Sequence, residues 1–239
     1  MRGMIAAFLA TALLAGCQVT PTETSGPGQA APVSRGSDTG PVSASQATAN
    51  FRAAVRRMEP VAEQQCREQT RGVNCDFLIR VDPDPRQPPN AFQSLDRNGR
   101  PLLTFTQALI ADAHNQDEIA FVIGHEAAHH IEQHIAQQRQ SAAAGAIVGG
   151  LLGAALGGDA QTAETIGRVG ATVGARQFSK EHELEADALG TVITARAGYD
   201  PVRGAAFFSR IPDPGDRFLG THPPNRARID VVRRTAAGL

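Results

Sequence analysis

The sequence predicts a mostly helical α+β domain with a small β-sheet, and three observations predict it. Apolar residues recur at helical spacing from Phe51 through Val55, Met58, Val61 and Ala62, and helical patterning returns from Gln107 onward. Two short apolar runs, Asp76 to Asp82 and Pro101 to Thr106, read as strands. With no Trp and a single Tyr, the core must be built from Ala, Leu, Ile, Val and Phe, an inventory that suits helix packing. At 239 residues the chain has room for one domain plus tails. Its formal charge of −1 offers no basic footprint, so a nucleic-acid partner is excluded.

The chain opens on MRGMIAAFLATALLAGCQ: one charge at Arg2, an apolar run from Met4 to Leu14, then small residues before Cys17. This is a secretory leader by charge and length, too short for a permanent span. Its end, LAGC, resembles a bacterial lipobox. That resemblance implies a signal peptide over residues 1–16 and a lipid on Cys17 that ties the mature chain to a membrane surface, with Gln18 in the next position pointing to the outer membrane. Residues 17–48 are Pro, Thr, Ser, Gly, Gln and Ala, and read as a flexible tether. The folded domain is expected over 49–239. Cys66 and Cys75 remain, the right number for one disulfide in an oxidising compartment, about 2–3 kcal/mol in the chain-entropy model; two free buried thiols are the alternative.

A first helix is expected to about Thr70, followed by the strand at Asp76 to Asp82. Pro83 to Arg100 is dense in Pro, Asp, Asn and Gly and reads as loops, with a turn at Asn98-Gly99. Pro101 to Thr106 is expected as an edge strand, because its leading Pro cannot donate to a ladder. Leu102, Leu103, Thr104 and Phe105 would then offer main-chain hydrogen bonds to an extended peptide. A helix capped by Asn115 or Asp117 is expected to run to about Gln138. Ser141 to Gly158 is uncharged, with Gly145, Gly149, Gly153 and Gly157 at four-residue intervals. Together with Thr162 to Ala175 it reads either as a close-packed helical hairpin, inserted over 141–175, or as a mobile Gly/Ala loop.

The chemistry is concentrated in FVIGHEAAHHIEQH. His125 and His129 stand one helical turn apart and leave the same face, where both can hold one metal ion; Glu126, about 100° further round, can act on a water there. Zinc needs a third protein ligand. A His ten residues beyond His125 is ruled out, since position 135 is Ile. On a continuous helix His130 and His134 point away, about 140° and 180° from His125, and are expected as surface or satisfied histidines. The better candidate is KEHELEADALG: Glu183 can supply the third ligand, and Asp187, one turn on, can accept the outer N–H of a ligating His. Glu181 and Glu185 fall on other faces.

HEAAH, the later ELEAD, the tripeptide Asn90-Ala91-Phe92 and Thr221-His222-Pro223-Pro224 resemble the M48 family of zinc metallopeptidases in its periplasmic lipoprotein form. The resemblance covers roughly Phe51 to Arg233. It implies a zincin-like metallopeptidase domain, one Zn2+ per chain on His125, His129 and Glu183, Glu126 as general base, and Asp187 behind the ligands. It implies further that His222 faces the metal, as oxyanion stabiliser or as a fourth ligand, and that Arg228 sits at the same site. Expected partners are extended polypeptides, misfolded outer-membrane or periplasmic proteins, at the periplasmic face of the outer membrane. Two rival readings are a non-proteolytic factor that holds outer-membrane proteins and a structural lipoprotein that oligomerises through its Gly-rich segment.

Overall fold

The computed structural model describes residues 40–177, 179–213 and 223–239. The expected leader, Cys17, most of the expected tether and His222 lie outside the described residues. Helix α1 (Ala44–Gln69) begins earlier than expected, because Ser43 accepts from the Gln46 amide at 3.2 Å and Ala47 is already in the core. Residues 44–48, assigned to the tether from their lack of large apolar side chains, therefore belong to the helix. At its far end a disulfide joins Cys66 to Cys75, on the approach to strand β1 (Leu78–Val81).

The sheet overturns the expected edge strand. Strand β3 (Pro101–Phe105) lies between β1, to which it is parallel, and β2 (Ala91–Leu95), to which it is antiparallel. Leu102, Leu103, Thr104 and Phe105 are buried at every position and present no free edge. Pro101 is tolerated because it is the first residue of the strand, opposite Leu95 at the end of β2. The two edges belong instead to β1 and to β2, the latter in the stretch expected to be loop. Its hairpin turn is fixed by Asp96, whose Oδ1 accepts from the amides of Asn98 (2.7 Å) and Arg100 (2.9 Å), with Gly99 at φ 77°.

After the short α2 (Gln107–Asp112), α3 (Gln116–Ile131) runs through the middle of the domain and is buried along nearly its whole length. Asn115 caps it, accepting from Glu118 N at 3.0 Å. Two partly buried ion pairs clamp this first turn, Arg203 on Asp117 at 2.9 Å and Arg210 on Glu118 at 2.6 Å. Helix α3 does not continue to Gln138. The chain breaks at Glu132 and Gln133, the latter left-handed at φ 56°, and α4 (His134–Ala155) starts in a new direction.

Helices α4 and α5 (Ala160–Gln177) form the hairpin. The glycine stripe of α4 meets the backbone of α5: Gly145 lies against Gly170, Gly149 against Ile166 and Gly167, Gly153 against Ala163. The backbones touch, which leaves no room for the loop alternative. Because the glycine faces are used within the chain, Ile147, Leu151 and Leu156 point outward and are exposed. No helix among the described residues is long and apolar enough to cross a membrane.

Helix α6 (Ser179–Arg196) crosses α3 backbone on backbone. A Cβ added to Gly124 would lie 2.8 Å from the Gly190 carbonyl oxygen, and one added to Gly190 would lie 2.8 Å from the amide of His125. The short α7 (Pro201–Gly204), a 3-10 turn (Ala205–Ser209) and α8 (Asn225–Ala236) complete the described chain, and Phe77, Phe105, Phe121, Ile119, Ile123 and Met58 fill the core. At position 190 the neighbours are backbone and cannot swing aside. Gly190→Ala is therefore expected to lower stability by about 1–3 kcal/mol in urea denaturation. Gly150→Ala, whose Cβ would meet nothing closer than 3.9 Å, should be neutral or stabilising.

Candidate active site

The α3–α6 crossing brings the two sequence motifs face to face. His125 Nε2 and His129 Nε2 lie 3.0 Å apart, Glu183 Oε1 lies 3.5 Å from His129 Nε2, and Glu183 Oε2 lies 3.6 Å from His125 Nε2. One ligand atom from each residue falls within 4.8 Å of the others. A tetrahedral zinc site with bonds of about 2.0–2.1 Å separates its ligand atoms by about 3.3 Å, so the spacing fits that ion. The charges fit as well: Glu126, Glu183 and Asp187 against the single guanidinium of Arg228 leave a formal surplus of negative charge, which a divalent cation would neutralise.

Behind His125 stands a buried ion pair. Asp187 Oδ1 is 3.0 Å from His125 Nδ1, and Arg228 grips Asp187 with both arms, Nε to Oδ2 at 2.8 Å and the outer nitrogen to Oδ1 at 2.7 Å. The same guanidinium lies 3.4 Å from Glu183 Oε2 and stacks 3.9 Å over the Phe208 ring. Burial would raise the Asp187 carboxyl, but the hydrogen bonds and charge of Arg228, followed by those of His125, hold it below the usual range. For His125, burial and the Arg228 charge oppose protonation. The hydrogen bonds to Asp187 and Glu183 outweigh them and push the imidazole up to about 9.

The break at Gln133 changes the role of a histidine that helical spacing turned away. His134 is buried, with Nδ1 2.9 Å from His129 Nδ1 and Nε2 3.1 Å from Glu185 Oε2. Burial, then the neighbouring His129 and His182, lower it to about 3, so it is a neutral base. His130 does turn away and is satisfied, donating from Nε2 to the Asn74 carbonyl at 2.7 Å.

His125, His129, His134, Glu183 and Arg228 line a cleft of about 750 Å³, and Glu126 lines it with them. Asn90, Ala91, Phe92 and Gln93 bring the edge of β2 along one wall, and Phe207 and Phe208 stand in another. A helix-borne histidine pair with a neighbouring carboxylate, facing a second-helix carboxylate in one cleft, is the arrangement of a metallopeptidase. The family model described as Peptidase family M48 matches residues 56–236, and the chain belongs to that family. It is accordingly a metallopeptidase. Comparison with curated proteins returns no match.

Of the residues singled out from sequence, His125, Glu126, His129, Glu183 and Arg228 line this cleft, with Asp187 buried directly behind it. Leu102 to Phe105 stand one strand back from it. Sequence reasoning missed His134 and Glu185, whose meeting depends on a helix break that neither Gly nor Pro announces.

In the metal-free protein the two shifted histidines set opposite limbs of stability. His125, raised from an ordinary value near 6.5 to about 9, stabilises the fold fully below pH 6.5, and that contribution is lost as pH rises towards 9. His134, lowered to about 3, stabilises it above pH 6.5, and that contribution is lost as pH falls towards 3. Thermal unfolding of chelator-treated protein should therefore peak near pH 6.5, and the alkaline limb should flatten in Asp187→Asn, which lacks the charge that raises His125.

Proposed function

We propose that the chain is a zinc metalloendopeptidase of the bacterial cell envelope, held by lipid on Cys17 at the periplasmic face of the outer membrane, that cuts unfolded or misassembled envelope proteins. The observation that carries this reading is the shared cleft: the converging His125, His129 and Glu183 atoms, the Glu126 carboxylate and the open edge of β2 all border one space. His125, His129 and Glu183 would hold the zinc ion. Bound there, zinc supplies Lewis acidity that makes water a usable nucleophile near neutral pH and polarises the scissile carbonyl.

The chain's own groups supply the rest. Glu126 accepts the proton of the attacking water and returns it to the departing amine. Asp187 accepts from His125 Nδ1, which directs Nε2 into the cleft, and Arg228, which itself lines the cleft, grips that carboxylate with both arms. An extended peptide pairs its backbone with β2, from Ala91 to Leu95, in place of the strand expected from sequence. Such pairing reads main chain more than side chains. It admits a polypeptide only where it offers a free extended segment, and this favours unfolded over folded substrates. His222 carries, by resemblance alone, the proposed oxyanion role.

Glu126→Gln should bind one zinc per chain and lower kcat/KM on an unfolded, carboxymethylated protein substrate by about 10²–10⁴-fold. Glu183→Ala should lose stoichiometric zinc. Metal analysis beside a cleavage assay checks both. Equal cleavage by Glu126→Gln and wild type would sink the catalytic reading, and retained binding of unfolded protein without cleavage by wild type would favour a holding factor.

A further inference from the structure

The two histidines of the site are supported from behind by different chemistry. His125 has a carboxylate directly on its outer nitrogen. The outer nitrogen of His129 meets another imidazole, His134 Nδ1 at 2.9 Å, and only beyond that ring is there a carboxylate, Glu185 Oε2 at 3.1 Å from His134 Nε2.

The hydrogens along this line have one consistent placement. If His129 presents the Nε2 lone pair to the cleft, its proton is on Nδ1 and is donated to His134 Nδ1. His134 then accepts at Nδ1, carries its own proton on Nε2, and donates it to Glu185. We infer that His134 and Glu185 form a two-member relay that fixes the tautomer and ring orientation of His129, the counterpart of Asp187 behind His125. They are positioning residues: neither touches substrate. This rests on the metallopeptidase reading in which His129 is a ligand.

Two further observations point the same way. The chain holds Gln133, a non-glycine residue, in the left-handed region at φ 56°, a conformation that costs about 1–2 kcal/mol, and the break returns His134 to His129. The His134 ring also lies parallel to that of His182, with centroids 4.2 Å apart and planes 12° apart, which restricts its rotation. The same stacking argues against the competing use of these residues. His134, His182 and Glu185 offer ligand atoms within 4.8 Å of one another, as a second metal site would. Stacked rings hold their in-plane lone pairs in separate, nearly parallel planes, however, which do not bring them to one point. A metal on His134 Nε2 would also require a proton on His134 Nδ1, which would then oppose the proton on His129 Nδ1.

The test measures zinc affinity of the full chain by competition with a chromophoric chelator, and records the visible spectrum of the cobalt-substituted protein, so neither readout depends on turnover. His134→Ala should weaken zinc binding by about 10–100-fold and shift the cobalt bands. His134→Asn, whose amide oxygen can accept at the position of Nδ1, should recover most of that loss. Glu185→Ala, at a side chain that is 58% exposed and safe for folding, should weaken binding by about threefold or more. In the His134→Ala background it should add nothing, because the relay is already broken. Should His134→Ala not fold, Glu185→Ala and His134→Asn decide the matter by the same measurements. Zinc binding that disappears in Glu183→Ala yet is unchanged in His134→Ala and Glu185→Ala overturns the relay alone. Two zinc ions per chain, with only the second lost in His134→Ala, overturns it in favour of a second metal site. A wild-type chain that binds no zinc overturns the parent reading and the relay together.

Discussion

The approach of α6 to α3 at Gly190 and Gly124 is the constraint on which the site depends. Aspartate, glutamate and histidine side chains are short, and they can meet across two helices only where the backbones come close. Here a Cβ on either glycine would collide with the opposite backbone, and Thr194 packs into the same contact with its hydroxyl turned back to the Gly190 carbonyl at 2.7 Å. Asp187 lies one turn before Gly190 and Glu183 another turn before that, opposite His125 and His129. A crossing a few ångströms wider would leave both motifs intact in sequence and unable to touch.

That crossing also confines charge in a dry place. Asp187 is fully buried and Arg228 nearly so, and each is tolerated because the other grips it. The guanidinium arrives from α8, far along the chain, and is held flat against Phe208. The helix that carries Arg228 is therefore part of the candidate site and not an appendage to it: removing either member of the pair strands a charge in the interior, for which several kcal/mol is the usual loss.

How much of this was legible in the sequence follows from how local each feature is. His125, His129 and Glu126 could be read because helical spacing alone puts them together, and ELEAD because one further helix has to dock. The position of β3 could not be read in that way. A proline at a strand's start is compatible with an edge or with the first residue of a centre strand, and only the pairing of β1 from one side and β2 from the other decides which. Strand β2 itself, AFQSL between prolines and an Asn-Gly turn, has little intrinsic β signal and is a strand because β3 offers it a ladder. His134 was misplaced for a sharper reason. Continuous helical geometry puts it about 180° from His125, and the break that cancels this argument sits at Glu132-Gln133, two residues with no preference for the left-handed region.

The two halves of the site are consequently anchored in different parts of the molecule. His125 is fixed from the core, through Asp187, Arg228 and the glycine crossing. His129 is fixed from the base of the α4–α5 hairpin, because His134 is the first residue of α4 while Glu183 and Glu185 lie just inside α6, which follows α5. The hairpin thus spans the stretch of chain between the two helices that carry the candidate ligands. A flexible connection of that length would leave the start of α6 free to wander relative to α4. The interlocked glycines convert it into a close-packed strap, with His134 at the start of α4 against His129. The glycines that could be read as an oligomer signal have a use inside the single chain: they let two helices pack closely enough to hold one side of the cleft in place.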